Sequence, residues 1–330
     1  MSAQTSIVSF REVHKHFVPH AAMLGKAASV RAVDGVTFNV GAGRVLGIAG
    51  ESGSGKSTLA NLLVGLERAT AGEIEVDGHI MGARPDRRLR RAVQMVFQDP
   101  FASLNPRFTV GRSVEEPLLI HGVGTPAERR EQAIAALEKA ELRPGRTFLA
   151  RYPHELSGGQ RQRVAIARAV VLEPKLLVAD EPVSMLDVSV RAGILRLLKR
   201  LVTEQQMAMV FITHDLSIVA HICDELAVMY RGRIVERGPA RDLLRAPVHP
   251  YTRALIDAVP IPDPRAEARQ LPAKLLAGSS ISPTGRGCPF APRCVHAIPP
   301  CEADDPPGVE VGASHVASCI RANELRGAAS

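Results

Sequence analysis

The nine residues 50–58, GESGSGKST, constrain this chain more than any other segment. A short apolar run precedes them and a leucine-rich run with helical spacing follows. In that context the glycines let backbone N–H groups surround phosphate, the lysine reaches the β and γ phosphates, and the next hydroxyl suits Mg²⁺. We therefore predict a nucleotide-binding phosphate loop with Mg²⁺. Its predicted contacts are Gly50, Ser52, Gly53, Ser54, Gly55, Lys56, Ser57 and Thr58.

Local patterns around this loop predict a mixed α/β fold. Four leucines after the loop have i, i+3, i+4, i+7 spacing and predict one buried helix face: Leu59, Leu62, Leu63 and Leu66. Alternating apolar residues near 36–40 and an Asp77-Gly78 turn predict antiparallel strands. Thr125, Pro126 and Glu128 have the spacing of a helix N-terminus with a capping box.

A second phosphate-site element is the run Leu176-Leu177-Val178-Ala179-Asp180, a buried-strand pattern that ends in a carboxylate. A carboxylate at this place suits Mg²⁺ coordination, directly or through water. Glu181 follows at once. A second carboxylate just beyond the strand suits the activation of a water molecule that attacks the γ-phosphate.

The segment LSGGQ at residues 156–160 lies between these two elements and precedes a helical run. Ser157 and Gln160 have capping-box spacing, so the simplest interpretation is an ordinary helix N-terminus. Such a terminus is also suited to binding an anion.

The order of these motifs resembles the nucleotide-binding subunits of ABC transporters. Gln98, the segment 184–187 and His214 match the Q-loop, the D-loop and the switch histidine of that family, and the resemblance covers roughly residues 6–260. It implies an α/β fold with a RecA-like P-loop NTPase core, an antiparallel β-subdomain and a helical signature subdomain over about residues 99–168. The implied ATPase domain spans residues 1–245. A C-terminal extension with a small Cys-containing lobe follows at 246–330.

The resemblance also implies residue roles. Two subunits pack head to tail, so that the signature segment of one covers the γ-phosphate held by Lys56 of the other. The signature residues are Ser157, Gly158, Gly159 and Gln160. Gln98 contacts Mg²⁺ and the attacking water, Glu181 is the catalytic base, and His214 holds the γ-phosphate. Asp180 and Ser57 complete the Mg²⁺ site, and Asp187 contacts the opposite phosphate loop.

The family places an aromatic residue against adenine on an early strand. Phe17 fits best, with a core phenylalanine as the simpler interpretation. His20 competes for this role from the insertion-like stretch 19–28.

Two segments resemble the branch of the family that imports oligopeptides and dipeptides, and in some members nickel complexes or glutathione. They are residues 99–107, DPFASLNPR, and residues 249–255, HPYTRAL. Residues 260–264, PIPDP, then interrupt regular structure. The implied partners are two transmembrane permease subunits, a second ATPase subunit and, indirectly, an extracytoplasmic substrate-binding protein. The sequence leaves the substrate open, and also whether the second ATPase is identical.

The tail holds a cluster of four cysteines at Cys288, Cys294, Cys301 and Cys319. Clustered cysteines in a reducing compartment more often bind metal than form disulfides. The spacing lacks a C-x2-C pair, so we predict a [4Fe-4S] cluster ahead of zinc, with reduced structural cysteines as the alternative. His296 and His315 are candidate substitute ligands. Cys223 is expected to be a small apolar core residue.

Composition limits the remaining functions. The formal net charge of +7 includes a basic cluster at Arg84, Arg87, Arg88, Arg90 and Arg91. With no tryptophan and 4% aromatic residues, a solvated basic face is favoured over nucleic-acid binding, and attraction to anionic lipid is secondary. No leader and no run of about 20 apolar residues is visible. We therefore expect a peripheral subunit at the cytoplasmic face of the inner membrane.

Two other functions stay open at this point. One is a soluble ABC-class ATPase that acts on ribosomes or DNA. Such translation factors usually carry two ATPase cassettes and repair proteins carry long insertions, and neither feature is visible here. The other is a redox-sensing regulatory subunit in which the cysteine tail governs ATP use.

Overall fold

The computed structural model of this chain describes residues 6–18, 29–82, 86–258 and 286–326. Three sequence predictions lie outside these residues: those on His20, on Arg84 and on the segment 260–264. The fold divides into two compact units. Their described parts belong to the ranges Met1–Val13, Thr37–Val45 and Ser57–Ile212 for the first unit, and His14–Val36, Leu46–Lys56 and Thr213–Ser330 for the second.

Strands and helices are numbered in chain order. The strands are β1 Ser6–Phe17, β2 Val30–Gly41, β3 Val45–Ala49, β4 Ala71–Val76, β5 His79–Ile80, β6 Val93–Val96, β7 Leu176–Asp180, β8 Ala208–Thr213, β9 Glu225–Tyr230, β10 Arg233–Pro239, β11 Gly308–Gly312 and β12 His315–Ser318. The helices are α1 Lys56–Leu63, α2 Arg87–Ala92, α3 Pro100–Ser103, α4 Val110–His121, α5 Pro126–Lys139, α6 Gly158–Val170, α7 Val188–Gln205, α8 Val219–Ile222, α9 Ala240–Arg245, α10 Pro250–Asp257, α11 Pro300–Ala303 and α12 Ala322–Arg326.

In the first unit, β6, β7 and β8 form a parallel sheet in that order. The residues of β7 and β8 are almost entirely apolar and buried, as parallel strands require when both faces are covered. The register pairs Val96 with Ala179 and Ala179 with Phe211. The segments that follow β6 and β7 therefore leave the sheet at the same edge.

The same unit confirms two local predictions. Strands β4 and β5 form an antiparallel hairpin, and its turn residues Asp77 and Gly78 both have positive φ, at 51° and 74°. Helix α5 begins with the predicted capping box: Thr125 Oγ1 accepts from Glu128 N, and the Glu128 carboxylate accepts from Thr125 N. Helices α4, α5 and α6 pack together around buried aliphatic residues.

One sequence expectation for the first unit is wrong. Helix α1 ends at Leu63, and Leu66 is 67% exposed beyond it, whereas Leu59, Leu62 and Leu63 are fully buried. The i+7 position falls outside the helix because the chain turns at Gly65, which has a φ of 71°. The buried face therefore carries three leucines rather than four.

In the second unit, the strands lie in the order β11, β12, β10, β9, β3. Strand β3 runs parallel to β9, and the other neighbours are antiparallel. The cysteine lobe, defined here as residues 286–326, contributes five of the six residues of a small apolar core. That core consists of Val248, Val311, Ala317, Cys319, Ala322 and Leu325. None of the described helices combines the length and the apolar character that a bilayer crossing needs.

Candidate nucleotide site and cysteine lobe

The predicted phosphate loop follows the fully buried strand β3 and leads into α1. Two of its glycines lie against backbone. A Cβ on Gly50 would come within 2.2 Å of the Met229 carbonyl oxygen, and one on Gly55 within 2.1 Å of the Ala32 oxygen. Gly55 also has a φ of 106°, which residues with a side chain rarely adopt. Close backbone packing therefore requires glycine here, independently of any phosphate.

The Lys56 ammonium group lies across the start of this loop. Its Nζ donates hydrogen bonds of 2.8 Å to the carbonyl oxygens of both Gly50 and Glu51. The far side of the loop is held by the β9–β10 turn, because Gly232 N donates to the Ser54 oxygen at 2.8 Å. The loop is therefore a defined structure with its cationic side chain buried against it.

Three of the predicted Mg²⁺ and water-activating residues, Gln98, Asp180 and Glu181, lie at the carboxyl edge of the parallel strands. Asp180 is the last residue of β7, and Glu181 follows with a φ of 45°, a strained conformation for a residue with a side chain. Gln98, which leaves the sheet after β6, donates from Nε2 to Glu181 Oε2 at 2.8 Å. The structure thus joins two residues whose roles were inferred from separate motifs.

The signature segment forms the capped helix N-terminus that the sequence predicted. Ser157 is the N-cap of α6, its Oγ accepts from Gln160 N, and the Gln160 Oε1 accepts from Ser157 N. Gly158 and Gly159 open the helix, and a Cβ on Gly159 would come within 2.7 Å of Val190 Cγ1. Asp187 is exposed at the N-cap of α7, and its side chain makes no capping hydrogen bond.

Two further predicted contacts lie in the second unit. His214 is exposed immediately after β8. Phe17 ends β1 and is 39% exposed, with the Lys15 ammonium 4.7 Å from its ring centroid. An exposed aromatic face beside a cation excludes the simpler interpretation of Phe17 as a core residue. Its contact with adenine stays a prediction.

The four tail cysteines line one pocket in the cysteine lobe. Cys288 N donates to the Cys301 oxygen at 2.8 Å, and a short helical turn, Ala291–Arg293, leads from Cys288 to Cys294. Burial raises the pKa of the Cys288 thiol to about 11, and burial also raises the pKa of Cys319. Cys223 lies elsewhere and is buried, as expected of a small apolar residue.

Histidines contribute to this pocket differently from the prediction. His296 lines it, but His315 Nε2 donates to the buried Glu236 carboxylate at 2.8 Å, and His315 is not among the lining residues. His249, which the sequence did not suggest as a pocket residue, lies with Nε2 4.0 Å from Cys288 Sγ. Burial lowers the pKa of His249 to about 4, so its imidazole is neutral at physiological pH.

Comparison with known proteins identifies the family. A model described as "ABC transporter" matches residues 33–184, and one described as "Oligopeptide/dipeptide transporter, C-terminal region" matches residues 235–301. The chain is 46% identical over 303 residues to the oligopeptide transport ATP-binding protein OppF of Escherichia coli, covering 90% of each chain. It is 44% identical over 306 residues to the di/tripeptide transport ATP-binding protein DppF of Pseudomonas aeruginosa, covering 91% of this chain and 93% of that one.

The chain belongs to the ATP-binding subunits of ABC transporters. Among solved structures, this ABC ATPase resembles the dimeric cassette MJ0796 in a post-hydrolysis state bound to ADP and Pi, with a TM-score of 0.61 and 33% identity over 71% of this chain and 99% of that one. It also resembles cbiO1 of Clostridium perfringens, part of the cbiONQ transporter complex, with a TM-score of 0.63 and 29% identity over 72% and 90%.

Sequence reasoning missed two contacts that the C-terminal part of this ABC ATPase makes with its phosphate loop. The hydroxyl of Tyr251, on α10, accepts from Glu51 N at 2.8 Å. Arg293, from the cysteine lobe, forms an ion pair with the Glu51 carboxylate. The HPYTRAL segment signalled a peptide-transporter relative but gave no hint of this contact.

Proposed function

We propose that this ABC ATPase hydrolyses ATP to power the uptake of peptides through a membrane permease. The observation that carries the proposal is that one chain matches both the ABC transporter model and the C-terminal region of oligopeptide/dipeptide transporters. Relatives named for oligopeptide and di/tripeptide transport align over at least 90% of both chains, which supports the same substrate class.

The phosphate loop is the proposed triphosphate site. Backbone N–H groups of residues 50–58 and the Lys56 ammonium would hold the β and γ phosphates. Ser57, Gln98 and Asp180 offer the hydroxyl, amide and carboxylate oxygens that Mg²⁺ prefers. When bound, Mg²⁺ would neutralise charge on the phosphate oxygens. The exposed ring of Phe17 would stack on the adenine.

Glu181 is the proposed base for hydrolysis. Its carboxylate would take a proton from the water that attacks the γ-phosphorus, while the bond from that phosphorus to the bridging oxygen of ADP breaks. Gln98 already donates to this carboxylate and would orient it toward the water. The His214 imidazole would hold the γ-phosphate, and Lys56 would stabilise the charge that develops.

A complete site requires a second ATPase chain. The proposed head-to-tail pair would bring Ser157, Gly158, Gly159 and Gln160 of one chain to the γ-phosphate of the other. Asp187 would contact the opposite phosphate loop, and its uncapped, exposed carboxylate supports this. Two transmembrane permease subunits would hold the ATPases at the cytoplasmic face of the inner membrane. An extracytoplasmic binding protein would deliver peptide.

The alternative of an ABC-class ATPase acting on ribosomes or DNA is not favoured. Residues 235–301 match a region of peptide transporters, and the relatives quoted above are named for peptide transport.

The proposal is tested by what the tagged chain recovers from solubilised membranes. Mass spectrometry is expected to find a pair of multispanning permease subunits and an ATPase partner. The purified complex, reconstituted in vesicles with ATP enclosed inside and the binding protein outside, should then accumulate a labelled tripeptide. Recovery of ribosomal or DNA-bound proteins without a permease would contradict the proposal, as would a permease complex that accumulates no peptide.

We further propose that the cysteine lobe holds a [4Fe-4S] cluster through Cys288, Cys294, Cys301 and Cys319. The four residues line one pocket, which supports a shared ligand. A tetrahedral zinc site would bring its sulfurs within about 4 Å of one another, since Zn–S bonds are about 2.3 Å. Among the described residues, no three cysteine sulfurs lie within 4.8 Å of one another, so the thiols are not already arranged as a zinc site.

Iron, zinc and acid-labile sulfide contents of the anaerobically purified full chain test this assignment. About four iron and four sulfide per chain are expected. Cys294→Ser should reduce the iron content, whereas Cys223→Ser, at the buried cysteine outside the lobe, should not. One zinc per chain, or neither metal, would overturn the assignment.

A further inference from the structure

Glu51, the second residue of the phosphate loop, is held through three of its groups. Its backbone N–H donates to Tyr251 Oη at 2.8 Å, and its carbonyl oxygen accepts from Lys56 Nζ at 2.8 Å. Its carboxylate accepts two hydrogen bonds from Arg293, at 2.9 Å from Nη1 and 3.1 Å from Nη2. Two of these three partners come from the C-terminal part of the chain, about 200 residues or more away.

Arg293 is itself held in place. It ends the turn Ala291–Arg293 and directly precedes Cys294, and its side chain is only 17% exposed. The guanidinium lies 5.9 Å from the Tyr230 ring centroid and 5.6 Å from that of Phe290. These two rings and Tyr251 pack together with centroids 4.5–5.4 Å apart. The hydrogen bond to Glu51 raises the pKa of Arg293, which is charged at every physiological pH.

A bidentate guanidinium–carboxylate pair fixes direction as well as distance. Glu51 is 43% exposed, so the pair contributes little to overall stability. The position of the pair, in a loop expected to bind phosphate, is more informative than its contribution to stability. An acidic side chain in a phosphate-binding loop would repel a triphosphate unless a cation neutralised it, and Arg293 supplies that cation.

We infer that Arg293 is a positioning residue for nucleotide binding: it neutralises and orients Glu51 and so lets the cysteine lobe set the geometry of the phosphate loop. The inference rests on the proposed function, because it assumes that ATP binds at residues 50–58. Without Arg293, the Glu51 carboxylate would be unpaired beside the phosphates. Glu51, whose carbonyl oxygen accepts a hydrogen bond from Lys56, would also lose one of the contacts that hold it in place. Both effects weaken triphosphate binding.

Titration of the purified full-length chain with a fluorescent ATP analogue tests this. Arg293→Ala is expected to raise the nucleotide Kd about tenfold, and Arg293→Lys, which keeps the charge but not the two parallel bonds, about threefold. The decisive variant is the double change Glu51→Gln with Arg293→Ala. Because it removes the unpaired charge but leaves residue 51 without its Arg293 contact, its Kd should fall back to about threefold above the wild-type value.

Arg237→Ala is the matched control. It removes the same charge from another half-buried arginine, which pairs with Glu225 on the neighbouring strand. Its Kd should stay within about twofold of wild type. Melting temperatures of all variants, measured without nucleotide, identify any general loss of structure.

An Arg293→Ala variant that binds like wild type would overturn the inference and leave the proposed function intact. So would weak binding that Glu51→Gln fails to restore, since that result indicates collapse of the lobe rather than an unpaired charge. A wild-type chain that binds no nucleotide would contradict the proposed function and the inference together.

Discussion

Gln98 Nε2 donates a hydrogen bond to Glu181 Oε2 across 2.8 Å, although 83 residues separate the two in the chain. The parallel register of β6 and β7 explains the contact, because it brings the segments after Val96 and Asp180 to the same sheet edge. An amide donor on one carboxylate oxygen orients the group. That arrangement suits a base that must receive a proton from water.

The proposed role of Glu181 predicts that Glu181→Gln separates binding from hydrolysis. The amide keeps the size and the hydrogen-bonding reach of the side chain but cannot accept the proton of the attacking water. ATPase turnover of the assembled complex should fall by about 10²–10⁴-fold, while the Kd for ATP changes little. Glu204→Gln, at an exposed site on α7, is the control and should keep full turnover. Normal turnover by Glu181→Gln would exclude it as the base.

The capping boxes at Ser157 and Thr125 provide a matched pair of variants that test the role of the signature segment. Ser157→Ala and Thr125→Ala each remove a side-chain cap and should each lower the free energy of unfolding by about 1 kcal/mol. Only Ser157 is proposed to contact nucleotide in the partner chain. Turnover of the complex should therefore fall at least tenfold for Ser157→Ala and stay near wild type for Thr125→Ala. Equal turnover in the two variants would indicate that the Ser157 side chain only caps its helix and does not contribute to turnover.

The loop glycines predict unequal costs for the same substitution. Gly55→Ala would place Cβ 2.1 Å from the Ala32 oxygen at a φ of 106°, whereas a Cβ on Gly53, at 77°, has nothing within 4 Å. We expect Gly55→Ala to lower stability by more than about 3 kcal/mol and Gly53→Ala by about 1 kcal/mol. Thermal unfolding of the nucleotide-free chain measures both. Similar melting temperatures for the two variants would mean that the backbone at residue 55 shifts to accommodate the added Cβ.

Asp34 predicts a pH dependence of stability. Burial raises the pKa of this carboxyl, but the hydrogen bond and charge of Arg233, with Arg31 and His14, hold its pKa below the ordinary value. Because the folded-state pKa is lowered, the stabilisation is present above about pH 4 and is lost as the pH falls through the folded-state value. Asp34→Asn should therefore cost about 1–3 kcal/mol at pH 7, with a smaller difference from wild type below pH 4.

Unfolding at a series of pH values measures this difference. Asp304→Asn, at an exposed carboxylate, is the control and should follow the wild-type profile. A constant gap between Asp34→Asn and wild type at all pH values would mean that the carboxylate charge is not what stabilises this site.

Several local structures could be predicted because their sequence signals span only a few residues. The capping boxes at Ser157 and Thr125 depend on residues three apart, and the Asp77-Gly78 turn depends on two neighbours. The helix end before Leu66 was missed because the apolar spacing continues beyond the point where the backbone turns. Periodicity reports which side chains could share a face, but it does not report where the helix stops.

The contacts of Glu51 could not be predicted, because they depend on how residues about 200 or more apart in the chain pack together. His315 shows the same limit. Its spacing made it a candidate ligand in the cysteine tail, but antiparallel pairing of β12 with β10 places its Nε2 on Glu236 instead. Sequence spacing identified the four cysteines, whereas sheet register decided which histidines could join them.

The β9–β10 turn has a practical consequence for protein engineering. Hairpin tips are usually tolerant places for an epitope or a fluorophore. Gly232, however, donates to the Ser54 oxygen and accepts from Asp34 N, and it leaves no room for a Cβ beside the Arg31 oxygen. An insertion here would break the hydrogen bond that holds Ser54 of the phosphate loop in place. The exposed stretch after α4 near Gly122, where a Cβ would meet nothing within 4 Å, is the better attachment point.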